Sequence, residues 1–391
     1  MRGAPATERR GDLAAFDVSA ERGFLPRFDP VTALPRAFAA WSEVGRELPK
    51  LLAAGRVAWA VDRLPHLDPA PLRPAEQRWA MVVLSFLAHA YLVELSDRPR
   101  PRVLPAAVAA PWQALAAALG RPPVLSYASY ALDNWRRIDP DGPIAAGNLA
   151  LGQNFLGGLD EEWFVVVHVD IEARAAPAIA ALWRAVAAAA ADDAAALADA
   201  LGAVAAGLDA MGATLARMPE RCDPYIYFHR VRPYIHGTNR DPVVYAGVDA
   251  FGVEPRGFFG ETGAQSAIVP ALDAGLGIIH GDDELKWYLD RMRDYMPPGH
   301  RALLTALEAR SRVRALAGRL PASDPARLAY DACVEGVERF RSKHLEYAAA
   351  YIDRQVATSA QNPTAYGTGG TPFMDYLSKH RDETAAHRLG A

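Results

Sequence analysis

The stretch Glu338-Arg-Phe-Arg-Ser-Lys-His-Leu-Glu-Tyr-Ala-Ala-Ala-Tyr-Ile352 decides how this chain is read. It holds no glycine or proline, and its alanines, leucine, glutamates and arginines favour helix over strand. Followed back to Tyr330, the positions Tyr330, Val334, Val337, His344, Ala348 and Tyr351 recur at three-, four- and seven-residue steps, which is one face of a helix. A solitary histidine, His344, stands on that otherwise apolar face. A neutral imidazole buried there needs a partner, either a backbone carbonyl or a carboxylate. The sharper reading is a haem iron, because proximal ligation takes one imidazole from one helix and no second protein ligand.

Outward from that helix, the same helix-favouring composition fills the long segments, so the chain reads as all-α. Expected helices are Pro35–Ala54, Pro74–Leu95, Val108–Leu119, Ala176–Leu215, Ala264–Gly275, Asp283–Asp294, Pro298–Leu316, Pro325–Gln355 and Phe373–Arg388. One region resists. Trp163-Phe-Val-Val-Val-His-Val-Asp-Ile-Glu172 is rich in β-branched residues, and propensity alone reads it as a strand. Turn residues replace helix formers from Asp139 to Gly158, which marks an internal boundary. The expected organisation is a disordered tail over 1–15, a smaller N-terminal helical domain over 16–140 and a linker over 141–160. A larger helical domain over 161–391 follows, including a mobile loop at 357–372.

Composition bounds function. The 391 residues, half of them hydrophobic, suffice for a large core, and a net charge of −4 with interspersed signs offers no field for a nucleic-acid backbone. Two cysteines, Cys222 and Cys333, form neither a disulfide framework nor a zinc spacing, which suits the cytoplasm. Arg174, Pro177, Arg184, Asp192 and Asp193 interrupt the alanine-rich region, so no membrane-spanning run and no membrane partner are expected.

Three stretches carry potential chemistry. Between Cys222 and Gly237, Tyr227, Phe228, His229, Arg230, Arg232, Tyr234 and His236 crowd into ten residues. That density suits a pocket for a flat, acidic small molecule, gripped by arginine and sandwiched by rings; it also suits ordinary core and surface ion pairs. Tyr366-Gly-Thr-Gly-Gly-Thr-Pro372 lacks the lysine and preceding strand of a phosphate loop, and reads as a linker or a lid. His168-Val-Asp170 matches two ligands of a two-histidine, one-carboxylate iron triad, with His229, His236, His280 or His300 as the open third choice.

Several strings together resemble the indoleamine 2,3-dioxygenase family: Gly23-Phe-Leu-Pro26, YASYALDNW at 127–135, FFGETGAQS at 258–266, Tyr295-Met-Pro-Pro-Gly-His300, Arg341-Ser-Lys-His344 and Gly367-Thr-Gly-Gly-Thr371. They follow that family's order from about Phe16 to Arg388. The resemblance implies a two-domain helical haem-dioxygenase fold, with the small domain capping a large one that holds haem b. It implies cleavage of the indole C2–C3 bond of L-tryptophan by O₂ to N-formyl-L-kynurenine, with an electron donor keeping the haem ferrous. A same-fold enzyme for another indole derivative and a non-catalytic gas-binding haem protein are the alternatives.

By position, the resemblance makes His344 the proximal iron ligand and places Arg341 near a haem propionate. It makes Arg232 the residue that binds the substrate carboxylate. Tyr227 and Phe228 become the aromatic pair over the haem; Tyr127, Tyr130 and Phe164 line the indole side, and Thr368 belongs to the closing loop. Tyr227 departs from the phenylalanine of well-known members, and His168 from a serine found in some. His168 is read as a distal residue that hydrogen-bonds the indole N–H or bound oxygen, against the plainer reading of an imidazole packed on Glu172 or a carbonyl.

Overall fold

The computed structural model describes residues 13–282, 284–358 and 373–390. Its helices of seven residues or more are α1 (Ala39–Ala54), α2 (Pro74–Glu94), α3 (Ala106–Leu119), α4 (Leu159–Ala190), α5 (Ala194–Leu215), α6 (Ile268–Leu276), α7 (Glu284–Arg293), α8 (Pro298–Arg310), α9 (Val313–Arg319), α10 (Pro325–Tyr351) and α11 (Phe373–Ala385). Four strands of two or three residues supplement them. β1 (Val103–Leu104) pairs in parallel with β4 (Val244–Tyr245), and β2 (Trp135–Arg137) pairs antiparallel with β3 (Leu149–Leu151). The all-α reading therefore stands.

The β-branched run Trp163–Glu172 is helix, not strand, and lies inside α4. Asp160, Glu161 and Glu162 in the first turn favour a helix start there through the macrodipole, and the alanine-rich second half propagates it. Burial then outweighs the local preference: Val165, Val166, Val167 and Val169 are all in the core.

The segment expected as one helix over Ala176–Leu215 is two. Asp192 adopts φ 59° and Asp193 caps α5 by accepting from the Ala196 N–H at 3.0 Å, which turns the chain back on itself. The two helices pack so closely that a Cβ on Gly207 would stand 2.5 Å from Ala178 Cβ. Likewise Pro298–Leu316 divides into α8 and α9 at Ser311, whose hydroxyl donates to the Gly275 carbonyl.

α10 begins where the sequence says it should, with Asp324 accepting from the Ala326 N–H at 2.8 Å and Pro325 in the first turn. Its buried residues Tyr330, Val334, Val337, Arg341, Ala348 and Tyr351 form one stripe facing α5 and α11, and His344 occupies the open step in it. The buried core runs continuously from Leu13 to Tyr351. Leu13–Phe16 is a short helical turn with Leu13 buried, so residues 13–15 are not part of a disordered tail as expected; residues 1–12 lie outside the described residues. The expected linker, 141–160, carries β3, which pairs back to β2 before it, and is pinned where Glu161 accepts from the N–H groups of Phe155 and Leu156 and Glu162 from that of Leu151. One described stretch, Ala194–Glu220, is long and apolar enough to span a bilayer by length and composition, which corrects the sequence reading. It contains α5, which packs against α4 and α10.

Candidate active site

α4 and α10 bound a cavity of about 800 Å³, closed at its ends by α6, α7, the Glu261–Ser266 segment and Met211, Leu215 and Met218 of the α5 end. Its volume lies in the upper part of the range for small-molecule and cofactor sites. From α10, Phe340, Arg341, His344, Tyr347, Ala348 and Tyr351 line it; from α4, Phe164, His168 and Ile171 do, at the four- and three-residue steps of one helix face.

His344 is exposed, its imidazole opening onto the cavity that it lines. Burial, with the neighbouring charge of His168, lowers its pKa to about 4. The ring is therefore neutral near pH 7 and presents a lone pair, and among the described residues no hydrogen bond engages it. That is the donor a haem iron takes from below. Arg341 lines the same wall, but it is already engaged: its guanidinium holds Asp273 through paired contacts of 3.1 and 2.6 Å and bonds the Thr384 hydroxyl. Burial alone would raise Asp273, but the Arg341 charge and a hydrogen bond from His280 bring its pKa down to about 2.

The α4 side is neutral and aromatic. His168 Nδ1 sits 2.7 Å from the Phe164 carbonyl of its own helix, and since a carbonyl only accepts, the proton is on Nδ1. Burial lowers its pKa, leaving Nε2 as an acceptor in a ring that lines the cavity. The carbonyl partner of the plainer reading is real, yet it fixes the tautomer that a distal acceptor requires. Phe164 packs 4.6 Å from both His168 and Tyr227, and Tyr127 meets His168 edge-on at 6.1 Å. The Tyr127 hydroxyl donates to Glu172 at 2.9 Å, beside Ser266 at 2.8 Å. Two wide π turns, Ala128–Leu132 and Tyr227–Val231, position these aromatics; such turns are frequent at functional sites.

Of the residues singled out in sequence, Tyr127, Phe164, His168, Tyr227, Arg341 and His344 meet on the cavity wall. Tyr130, Phe228 and Arg232 are fully buried but are not among the lining residues. Tyr130 lies 6.3 Å from Phe164, and the Arg232 guanidinium stands 5.4 Å from the Phe228 ring. Of the loop expected over 357–372, residues 357 and 358 belong to a short helical turn, Asp353–Thr358, and the rest, Thr368 included, lies outside the described residues. The His168-Val-Asp170 triad does not assemble. Two positions apart on a helix the side chains diverge, and Asp170 instead accepts from Arg174 and the Ala146 N–H. His300 stacks on Phe24 at 4.8 Å, away from the cavity.

Sequence reasoning passed over Glu261, a buried carboxyl on the wall whose pKa burial pushes up to about 8, and Asp273. Glu261 stands inside the FFGETGAQS string, where an acid among small residues was the available signal. Asp273 is a lone acid on the apolar helix α6.

A helical cavity with the unengaged neutral imidazole of His344 on α10, the acceptor of His168 on α4, and Arg341, Lys286 and Arg293 in its lining, each paired with a carboxylate, fits the class of proteins that hold a haem. Comparison with known proteins agrees. The sequence model of the indoleamine 2,3-dioxygenase family matches residues 12–387. The rat indoleamine 2,3-dioxygenase 1 is 35% identical over 97% of this chain and 96% of its own length. Human indoleamine 2,3-dioxygenase 2 is 33% identical over 95% and 94%, and the indoleamine 2,3-dioxygenase nanC of Aspergillus nanangensis is 32% identical over 95% and 96%. The chain belongs to the indoleamine 2,3-dioxygenase family, and is thus an oxidoreductase of the haem dioxygenase type that acts on indoles.

Proposed function

We propose that this enzyme cleaves the C2–C3 bond of L-tryptophan with O₂, giving N-formyl-L-kynurenine, on a haem b held by His344. The observation that carries the reading is the pairing of His344 and His168 on facing walls of one cavity, each neutral and each with a nitrogen to spare. The haem, when bound, supplies dioxygen activation and draws its electron from an external donor.

The chain's own residues do the rest. His168 Nε2 accepts the indole N–H and fixes the ring against Phe164 and Tyr227. Arg232, buried beside Tyr227, supplies the positive charge that draws the substrate carboxylate. Arg341, Lys286 and Arg293, each paired with a carboxylate, are the cavity-lining cations that would be available to the cofactor's propionates. The apolar wall of Ile171, Met211, Leu215 and Met218 keeps water out, which strengthens every charge interaction inside. Ring orientation and dryness are what the protein adds to chemistry that belongs to the cofactor.

The test is turnover by the reduced, haem-loaded protein with L-tryptophan, tryptamine and indole in air. Formylkynurenine absorbance growing with L-tryptophan, at a kcat/KM above that for the two analogues, supports the reading. Preference for tryptamine or indole would assign the enzyme to another indole derivative and overturn it.

A further inference from the structure

We propose that His280, His380 and Glu383 form a binding site for one divalent transition-metal ion of the zinc class, on the α11 side of the cavity that His344 also lines, that bolts α11 to the segment after α6. The three residues offer one ligand atom each, all within 4.8 Å of one another. His380 and Glu383 are three apart on α11 and so share a face, while His280 arrives from the end of the α6 segment.

The surroundings are those of a metal-binding histidine. His280 turns Nδ1 toward Glu383 Oε2 at 2.7 Å and Nε2 toward Asp273 Oδ2 at 3.3 Å. With an ion at Nδ1, the other nitrogen carries the proton and donates to Asp273, the carboxylate–histidine–metal arrangement that orients ligating imidazoles. Asp273 is itself fixed by Arg341, whose charge it balances. Glu383 is then left as the negative ligand for the dication. Among the described residues no hydrogen bond uses the ring of His380, which is buried. Two nitrogens, one carboxylate and room for water suit zinc better than calcium or magnesium, which prefer all-oxygen shells.

The geometry asks for modest movement. Ligands about 2.1 Å from a tetrahedral ion stand about 3.4 Å from one another, so the His280–Glu383 contact opens slightly. The rings of His280 and His380 stack at 4.1 Å and 18°, and one of them has to turn out of the stack to aim at the shared point. Lys379 approaches Glu383 at 3.5 Å and is 41% exposed, so its ammonium lies on the solvent side of this carboxylate.

The experiment is equilibrium dialysis of tag-free, haem-loaded protein against zinc, with zinc and iron counted separately by elemental analysis. One zinc per chain is expected for the wild type. His380→Ala and the near-isosteric Glu383→Gln should each weaken zinc binding by at least about tenfold, since losing a ligand costs no less than losing its supporting partner. The Soret band of both variants should stay unchanged, which shows that they are folded. No zinc retained by the wild type, or zinc held equally by Glu383→Gln, overturns the proposal and leaves the haem assignment untouched.

Discussion

The two sides of the cavity put carboxyl groups in opposite electrical settings. Beside α10, Asp273 is held by Arg341 and brought down to about 2, so that side carries fixed charge. Around Tyr127, burial pushes Glu172 up to about 7 and Glu261 to about 8, and His168 is kept neutral. Carboxylate charge is anchored by its arginine on one side and withheld from the other. An uncharged ring belongs against the second.

Breaking the charged side should have the largest effect. His344→Ala is expected to leave the folded chain without haem and without turnover, because no other lining residue on α10 offers a neutral nitrogen; haem per chain is measured by pyridine haemochrome. Next comes Arg232→Ala, expected to raise KM for tryptophan about thirtyfold, or about 2 kcal/mol, with a smaller change in kcat. An unmoved KM would show that Arg232 only packs against Phe228. His168→Ala should lower kcat/KM about fivefold while haem content holds, the loss of about 1 kcal/mol for one hydrogen bond; full activity in that variant would remove His168 from the site.

The smallest effect sharpens the contrast through pH. Glu261 has a folded pKa above its unfolded value near 4.5, so the stability it contributes is present below that value and is lost as pH rises through about 8. Asp273 has the opposite sign: its contribution is present above an unfolded value near 3.8 and is lost as pH falls toward about 2. Glu261→Gln is therefore expected to flatten the loss of stability between about pH 4.5 and about pH 8, the alkaline limb of the profile, by about 1 kcal/mol, and to leave the limb below about pH 4 alone. An unchanged alkaline limb would mean that Glu261 titrates normally.

How much of this could be read from the chain differs by region for physical reasons. The α10 stripe was legible because every position from Tyr330 to Tyr351 lies on one continuous helix, where spacing alone sets the face. The string at 127–135 supplied Tyr127, and position in the family resemblance supplied His168 and Tyr227; spacing could not have gathered the three. The helical state of Trp163–Glu172 was hidden because burial against distant elements, not the local β-branched run, decides it. The division at Asp192 was visible in principle as an Asp-Asp pair that caps the following helix. Asp273 was beyond reach, since its role depends on His280 and on Arg341 sixty-eight residues later. The place of Arg232 beside the wall rather than on it follows from the π turn at Tyr227–Val231, which no local pattern announces.

The central claim, axial ligation by the imidazole at 344, is tested most directly by His344→Gly reconstituted with haem, with and without added imidazole. The account predicts no normal Soret band in the variant alone and recovery of that band when imidazole enters the vacated space. A normal band without imidazole would contradict it.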